Sequence, residues 1–370
     1  MTTPTTARSR PRKARQLRLA TAMVALALSA LVFTAFALYA QDQYRSLRRT
    51  LGSWSQGDPI MTADPEIGFA LNRSGSSRFH IRGTDRFVAA AANPQGLRVP
   101  PEQRSQSFTS ADVVAIGCSF TYGHGVEAEQ AYPAVLAEAS GLSVVNAGVQ
   151  AYGSLGSLLA FQRVVALRPK IVTYGFIAPH MQRNLTPCAP TPLPICRSQA
   201  YVRFGPNGPQ IQPPAASRWS VALSEYVFAG LDLPDNGGDW WRGVALLAGS
   251  TVSKLATPSW QDNPQRQEEA LAFVLRRLKA ATDAVGARLI VVNIPQPLAR
   301  AGEPRPPQPV SDLLLRALPS GVELIDEAPV VAAIPPEIDL RVAERDGHPS
   351  VAVHRAIGLD LAKRLRGDGP

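Results

Sequence analysis

Between Arg18 and Asp42 the chain runs LATAMVALALSALVFTAFALYAQ, 23 residues without a charged side chain. As a helix this stretch is about 34 Å long, enough to cross a hydrocarbon core of about 30 Å. Such a segment decides where the rest of the chain resides. An uncleaved membrane-spanning anchor is the first reading. A cleaved signal peptide is the competitor, since Ala35-Phe36-Ala37 resembles an A-x-A cleavage site, although the apolar region is longer than such peptides usually carry. A buried core helix is a poor fit to an extreme terminus behind six basic residues. In both leading readings Arg8, Arg10, Arg12, Lys13, Arg15 and Arg18 hold the N-terminal side in the cytoplasm. Residues 42–370 are then expected outside it, periplasmic or at the cell surface.

The same segment explains the chain's charge. A net +9 invites a nucleic-acid reading, but of 38 basic and 29 acidic residues, nine basic and one acidic lie in residues 1–49. From residue 50 onward 29 basic residues face 28 acidic ones, so a nucleic-acid-binding body lacks its main electrostatic support. Of three cysteines, Cys188 and Cys196 bracket the loop CAPTPLPIC. They are compatible with a disulfide in an oxidising compartment or with two free thiols in a loosely packed loop. Cys118 stands alone.

Beyond a polar stretch at 42–62, read as a stalk, about 300 residues remain, and DPEIGFALN (64–72) and NPQGLRVP (93–100) read as short extended pieces. From residue 112 short apolar runs alternate with helical patterns: DVVAIGCSF, then AYPAVLAEASG; VVNAG, then SLLAFQRVVAL; KIVTYGFI at 170–177. Residues 187–215 carry eight prolines and interrupt the pattern, which marks an insertion outside the sheet. Trp240 and Trp241 suit a helix over a groove or, more simply, core packing. The alternation resumes with QEEALAFVLRRLKAATDAVG (267–286), ARLIVVNIP, PVSDLLLRAL, VELIDEA and a last helix from about Val351 to Leu365. Strands alternating with helices imply an α/β fold, a three-layer α/β/α sandwich on a mostly parallel sheet.

Ligands of such sheets sit at the carboxyl ends of the strands. The first strand of the alternation delivers Gly117-Cys118-Ser119-Phe120-Thr121 there. A serine at a strand-to-helix turn exposes its Oγ beside unpaired backbone N–H groups; it is equally a good helix N-cap. Arg345-Asp346-Gly347-His348-Pro349-Ser350 precedes the last helix. There one loop can supply a general base and the carboxylate that fixes its tautomer. The plainer reading is a solvated loop in which Asp346 or Ser350 caps the helix.

In this order, GCSFTYGHGV (117–126), NAGVQAYG (146–153) and DGHPSVAVH (346–354) resemble the SGNH (GDSL-type) hydrolase superfamily, especially its exported, anchored bacterial members. DPEIGF and QGLR are similar to the region preceding the catalytic domain in those members. The resemblance covers about 64–366. It implies a flavodoxin-like sheet, a hydrolase-like domain over 111–370 with its insertion at about 187–260, and residues 63–110 as an N-terminal extension. It further implies Ser119 as nucleophile, His348 as general base and Asp346 as its partner, with the backbone N–H groups of Ser119 and Gly148 in the oxyanion hole. Cys118 stands where the family usually has Asp. The family's Asn after the third strand has no plain counterpart in GFIAPHMQRN (175–184), where Pro179 and His180 occupy its place; Asn184 or His180 could substitute. Losing one such donor costs about 2.7–4 kcal/mol of transition-state stabilisation.

The expected activity is acyl transfer from an ester through a Ser–His–Asp arrangement, with an ester-bearing small molecule, lipid or cell-surface glycan as substrate. Esterase and transacylase share every protein group involved. No cofactor is expected, and no metal, since no His/Asp/Glu cluster has ligand spacing. The contrasting expectation is a non-catalytic, membrane-anchored member of the fold that binds a polysaccharide or an envelope-assembly partner. Cys118 as nucleophile is disfavoured, because neighbouring residues at the turn point in different directions.

Overall fold

Val113–Gly117 is too short and too uniformly apolar for a surface helix, and all five of its residues are buried in the middle of a sheet. The computed structural model describes residues 10–51, 55–191, 193, 195–232, 239–256 and 261–366. The nine strands of the main sheet are, in chain order, β1 (Ser55–Gly57), β2 (Ser76–His80), β3 (Phe87–Ala92), β4 (Arg98–Val99), β5 (Val113–Gly117), β6 (Val144–Asn146), β7 (Ile171–Phe176), β8 (Arg288–Asn293) and β9 (Glu323–Asp326). Their spatial order is β1-β2-β3-β4-β6-β5-β7-β8-β9. The strands β6-β5-β7-β8-β9 pair in parallel. Strands β1 to β4 continue the sheet antiparallel, joined to it where Arg98 pairs with Asn146. Residues 63–110 therefore complete the sheet that carries the later strands.

The helices are α1 (Arg10–Leu51), α2 (Ser119–Tyr122), α3 (Tyr132–Ser140), α4 (Ser154–Val164), α5 (Pro179–Arg183), α6 (Ser217–Ala229), α7 (Asp239–Ala256), α8 (Pro264–Asp283), α9 (Asp312–Ala317), α10 (Ala328–Ala332) and α11 (Val351–Arg366). Strand alternation splits the core into two layers. Val114, Ile116, Val172, Tyr174 and Val291 meet Leu158 and Phe161 of α4 and Leu271, Val274 and Leu278 of α8. Val113, Ile290, Val292 and Ile325 meet Tyr132 and Leu136 of α3 and Val353, Ile357 and Leu361 of α11. The body is a three-layer α/β/α sandwich.

The insertion stays off the main sheet. It forms the hairpins Cys188–Ala189 with Arg197–Ser198 and Tyr201–Gly205 with Gly208–Gln212, followed by α6 and α7. Cys188 and Cys196 are disulfide-bonded, with Cα atoms 4.8 Å apart.

Of the stretch 42–62, residues 42–51 are helical and residues 52–54 lie outside the described residues. Its first part continues α1, whose Ala40 and Tyr44 are fully buried and whose Leu47 packs beside them. That i, i+4, i+7 stripe is an amphipathic face, concealed in sequence by the charges of Arg45, Arg48 and Arg49. The Tyr44 hydroxyl donates to the Val227 carbonyl at 3.2 Å. A Cβ on Gly243 of α7 would lie 1.9 Å from the Ala40 carbonyl oxygen, so only glycine permits this approach of α7 to α1. Trp240 meets Phe33 edge to face at 5.6 Å and stacks on Trp241, so the tryptophans serve the junction with α1. Within α1, Lys13–Arg49 contains an 18-residue window of mean hydropathy 2.2, none of it buried.

Glu327, just after β9, is fully buried, and neither carboxylate oxygen is hydrogen-bonded among the described residues. Burial pushes its pKa up to about 8, with Asp360 adding to the rise and Arg364 opposing it. An acid that takes up a proton on folding contributes stability below its unfolded pKa and loses it as pH rises to the folded value. Glu327→Gln is therefore expected to match wild type near pH 4.5 and to exceed it at pH 8, by about 2–4 kcal/mol. Thermal unfolding across this range reads the difference, and a gap independent of pH would count against a protonated Glu327.

Candidate active site

Strand β5 ends in Gly117 at φ +154°, where a Cβ would sit 2.2 Å from Thr121 Oγ1 and 2.9 Å from the Gly175 carbonyl. Without a side chain at that point the strand turns directly into α2. Cys118 becomes the residue preceding the helix and is wholly buried in the layer beneath α3 and α11. Ser119 is the first helical residue, and its backbone N–H belongs to a turn with no intrahelical acceptor. Helix α2 closes at Gly123, in the left-handed region at φ +82°. The chain then folds back so that the His124 N–H donates to the Ser119 carbonyl at 2.9 Å.

The other half of the site comes from the hairpin Arg341–Ala343 with Asp346–Pro349, which leads into α11. His348 Nε2 lies 2.9 Å from Ser119 Oγ, and His348 Nδ1 lies 2.5 Å from Asp346 Oδ1. The backbone N–H of His348 also donates to Asp346 Oδ1, at 3.2 Å. Asp346 Oδ2 lies 3.2 Å from His124 Nε2, so two imidazoles share one carboxylate. Burial alone would raise the pKa of Asp346, but the hydrogen bonds from His124 and His348 outweigh it and hold the carboxyl well below its usual range. His348 is pushed down by desolvation, then by the neighbouring His124, with Arg183 acting in the same direction and Asp346 opposing. A neutral imidazole bonded to a serine Oγ at neutral pH is positioned to take its proton.

A cavity of about 410 Å³ opens over Ser119 and His348, with Phe120, Gln150, Ala151 and Phe228 in its walls. A larger one of about 820 Å³, lined by Pro295, Pro306, Pro309 and their neighbours, touches neither side chain. Ser119, Asp346 and His348 are thus together, and the remaining candidates fare differently. The Gly148 N–H donates at 2.9 Å to Asn146 Oδ1, whose amide in turn donates to the Thr121 carbonyl, so this N–H is already engaged. His180 is fully buried with Nδ1 2.7 Å from the Tyr174 hydroxyl. The Asn184 side chain accepts from the Leu155 N–H at 3.0 Å and bonds Ser154 Oγ at 3.2 Å. The cause is Pro179: it starts the one-turn helix α5, which rotates His180 and Asn184 away from the cavity and leaves Arg183 at its wall.

Three residues at the site escaped the sequence reading. His124 lies inside the GCSFTYGHGV block and is one of only five histidines, a signal that was available. Arg183 follows from the turn at Pro179. Ala151 adopts φ +67° on the cavity wall, and nothing about an alanine announces a left-handed residue. Among the described residues His124, Asp346 and His348 also form a cluster whose ligating atoms lie within 4.8 Å of one another. Each imidazole already directs a ring nitrogen at the carboxylate.

Neither a protein-family profile nor a curated protein sequence matches the chain. Among solved structures it is similar to a protein from Desulfitobacterium hafniense described as lipolytic and of the G-D-S-L family. That match spans 68% of this chain and 98% of that one, at 15% identity and a TM-score of 0.32. It is also similar to an acetyl xylan esterase from the rumen bacterium Butyrivibrio proteoclasticus, over 71% of this chain and 65% of that one, at 10% identity and a TM-score of 0.35. A carbohydrate esterase family 2 enzyme with a carbohydrate-binding domain, from Corynascus thermopiles (Myceliophthora fergusii), matches 86% of this chain and 91% of its own, at 12% identity and a TM-score of 0.33. At these similarities, what this chain does is a question for its own side chains.

Proposed function

We propose that this chain is a serine-dependent hydrolase of ester bonds, held in a membrane by α1 with its body outside the cytoplasm. The observation that carries the reading is the continuous path Ser119 Oγ to His348 Nε2 (2.9 Å) and His348 Nδ1 to Asp346 Oδ1 (2.5 Å) at the floor of an open cavity. His348 takes the Ser119 proton as Oγ attacks the ester carbonyl. Asp346 keeps the Nδ1–H tautomer and balances the imidazolium that forms. The oxyanion draws on the Ser119 N–H and, in place of Gly148, on the backbone at Ala151, which lines the same cavity. His348 then returns the proton to the departing alcohol. Water releases the acyl group in an esterase and a second hydroxyl does so in a transacylase, with the same groups. The substrate class is an ester on a small molecule, lipid or cell-surface glycan. The basic residues from Arg8 to Arg18, which precede the uncharged 23-residue stretch of α1, support the orientation, and that stretch supports the anchor.

A non-catalytic binding protein is the second reading, favoured by the engagement of Asn184 and Gly148 elsewhere. Incubating the detergent-solubilised full chain with an aryl organophosphonate, mapping the adduct by peptide mass, and measuring short-chain aryl ester hydrolysis separates the two. A single adduct on Ser119 with turnover is the expected result. A folded protein that neither reacts nor turns over would support the second reading.

The depressed pKa of His348 gives a pH test. Activity should rise through an apparent pKa below about 6.5 and stay level above it, since the neutral ring is the base. His124→Gln removes a group that lowers this pKa, so the acid limb of kcat/KM is expected to move to higher pH. An unmoved limb would show that His124 has no electrostatic hold on His348.

A further inference from the structure

The cavity over Ser119 has a rim whose charge the nearly neutral body does not foreshadow. Arg82, Arg183, Arg197 and Arg345 line it, against two acids, Glu225 and Asp346. Both acids are spent: Glu225 pairs with Arg197 at 3.2 Å, and Asp346 holds the two histidines. That leaves Arg82, Arg183 and Arg345 with no carboxylate partner among the described residues.

Arg82 and Arg183 are half-buried, and Arg345 is exposed with its stem against the protein. Arg183 donates from Nη1 to the Tyr152 carbonyl at 3.0 Å, and its remaining N–H groups are left for a ligand. Arg82 has its Nε buried with no hydrogen-bond partner among the described residues. The aliphatic stem of Arg345 rests on the turn at Gly83, where a Cβ would stand 3.4 Å from its Cβ, Cγ and Cδ. Arg345 immediately precedes Asp346, so this guanidinium is tied to the same hairpin as the catalytic base. Four guanidinium groups against two carboxylates leave the lining with a net +2, the imidazoles aside; like charges around one opening repel one another, and a bound anion would lower that cost. A guanidinium also offers a planar fork that matches a carboxylate. Gln150, Gln296 and Thr191 in the same lining suit hydroxyl groups better than an acyl chain.

We infer that this rim is an anion subsite, and that the ester is an O-acyl group carried on a carboxylate-bearing sugar. Arg82, Arg183 and Arg345 hold the carboxylate while the acyl carbonyl reaches Ser119. This deepens the hydrolase reading and rests on it for the acyl transfer, but the subsite can be tested without turnover.

The probes are a glucuronate trisaccharide, its methyl ester, and glucose 6-phosphate, titrated calorimetrically into the full-length Ser119→Ala protein in detergent. The acid is expected to bind at least about tenfold tighter than its neutral methyl ester, with the difference shrinking as salt is raised. Arg345→Gln, at an exposed position, is expected to reduce the discrimination severalfold, and Arg82→Gln with Arg345→Gln to abolish it. Equal affinity for acid and methyl ester at low salt overturns the subsite whatever the variants do. Binding of glucose 6-phosphate with none of the glucuronate overturns the sugar carboxylate in favour of a phosphate. Discrimination in binding without turnover by wild type defeats the hydrolase reading and leaves the subsite standing; turnover without discrimination does the reverse.

Discussion

Ser119→Ala is expected to lower kcat for a short-chain aryl ester by roughly 10⁴- to 10⁶-fold and to abolish phosphonate labelling. The size follows from the absence, among the described residues, of a substitute nucleophile beside Ser119 at the floor of the cavity. Cys118 is the nearest candidate by sequence, yet its thiol lies within the core beneath α3 and α11 and lines no part of the cavity. The variant should fold, because Ser119 Oγ makes its one described side-chain bond to His348 and alanine suits the first turn of a helix. His348→Ala is expected to cost about as much, and the double variant no more than either, since base and nucleophile act as one unit. Multiplied losses in the double variant would mean that two independent routes to product exist. Turnover by Ser119→Ala within tenfold of wild type would sink the nucleophile assignment.

The parts of this site that could be read from the sequence are those where chemistry constrains the residue type. Ser119 had to be a hydroxyl at a strand end, and Asp346 and His348 had to be close in the chain to share a loop. The parallel strands were legible for a similar reason: β5, β7 and β8 are short runs buried on both faces, with no polar alternation to confuse them with edge strands. What failed depended on backbone direction. The Gly148 N–H belongs to the oxyanion hole only by the resemblance of NAGVQAYG to the family's block, and a block fixes the residue type without fixing where its N–H points. Gly148 closely approaches Thr121 and Tyr122, where a Cβ would lie 2.5 Å from the Tyr122 nitrogen, and the left-handed residue facing the cavity is Ala151. His180 and Asn184 lie where the resemblance places an Asn after the third strand, but the helical turn from Pro179 decides which side chains face the opening. After Asp42, three arginines in five residues outweigh, by composition, the apolar stripe of Ala40, Tyr44 and Leu47 that binds α1 to the body, so the sequence alone does not show that stripe.

Asp346→Asn is the variant whose rate and pH profile together test how the acid works, and a fall in kcat of roughly 10⁴-fold is expected. In wild type both carboxylate oxygens face ring nitrogens, Oδ1 that of His348 and Oδ2 that of His124. An amide accepts on one side only and donates on the other, so one of the two imidazoles must change tautomer. The carbonyl can remain at the Oδ1 position, where it also receives the His348 backbone N–H. Even then, the imidazolium formed during attack has lost its counter-charge while standing 4.3 Å, ring to ring, from His124. The pH profile separates this loss from simple misplacement. Asp346 raises the pKa of His348, whereas His124 lowers it. The acid limb of kcat/KM should therefore move to lower pH in Asp346→Asn and to higher pH in His124→Gln, although both variants lose a hydrogen bond in the same cluster. A displaced ring alone would weaken turnover in both without opposite shifts. Limbs that move together would show that Asp346 and His124 act on His348 through its position and not through its charge.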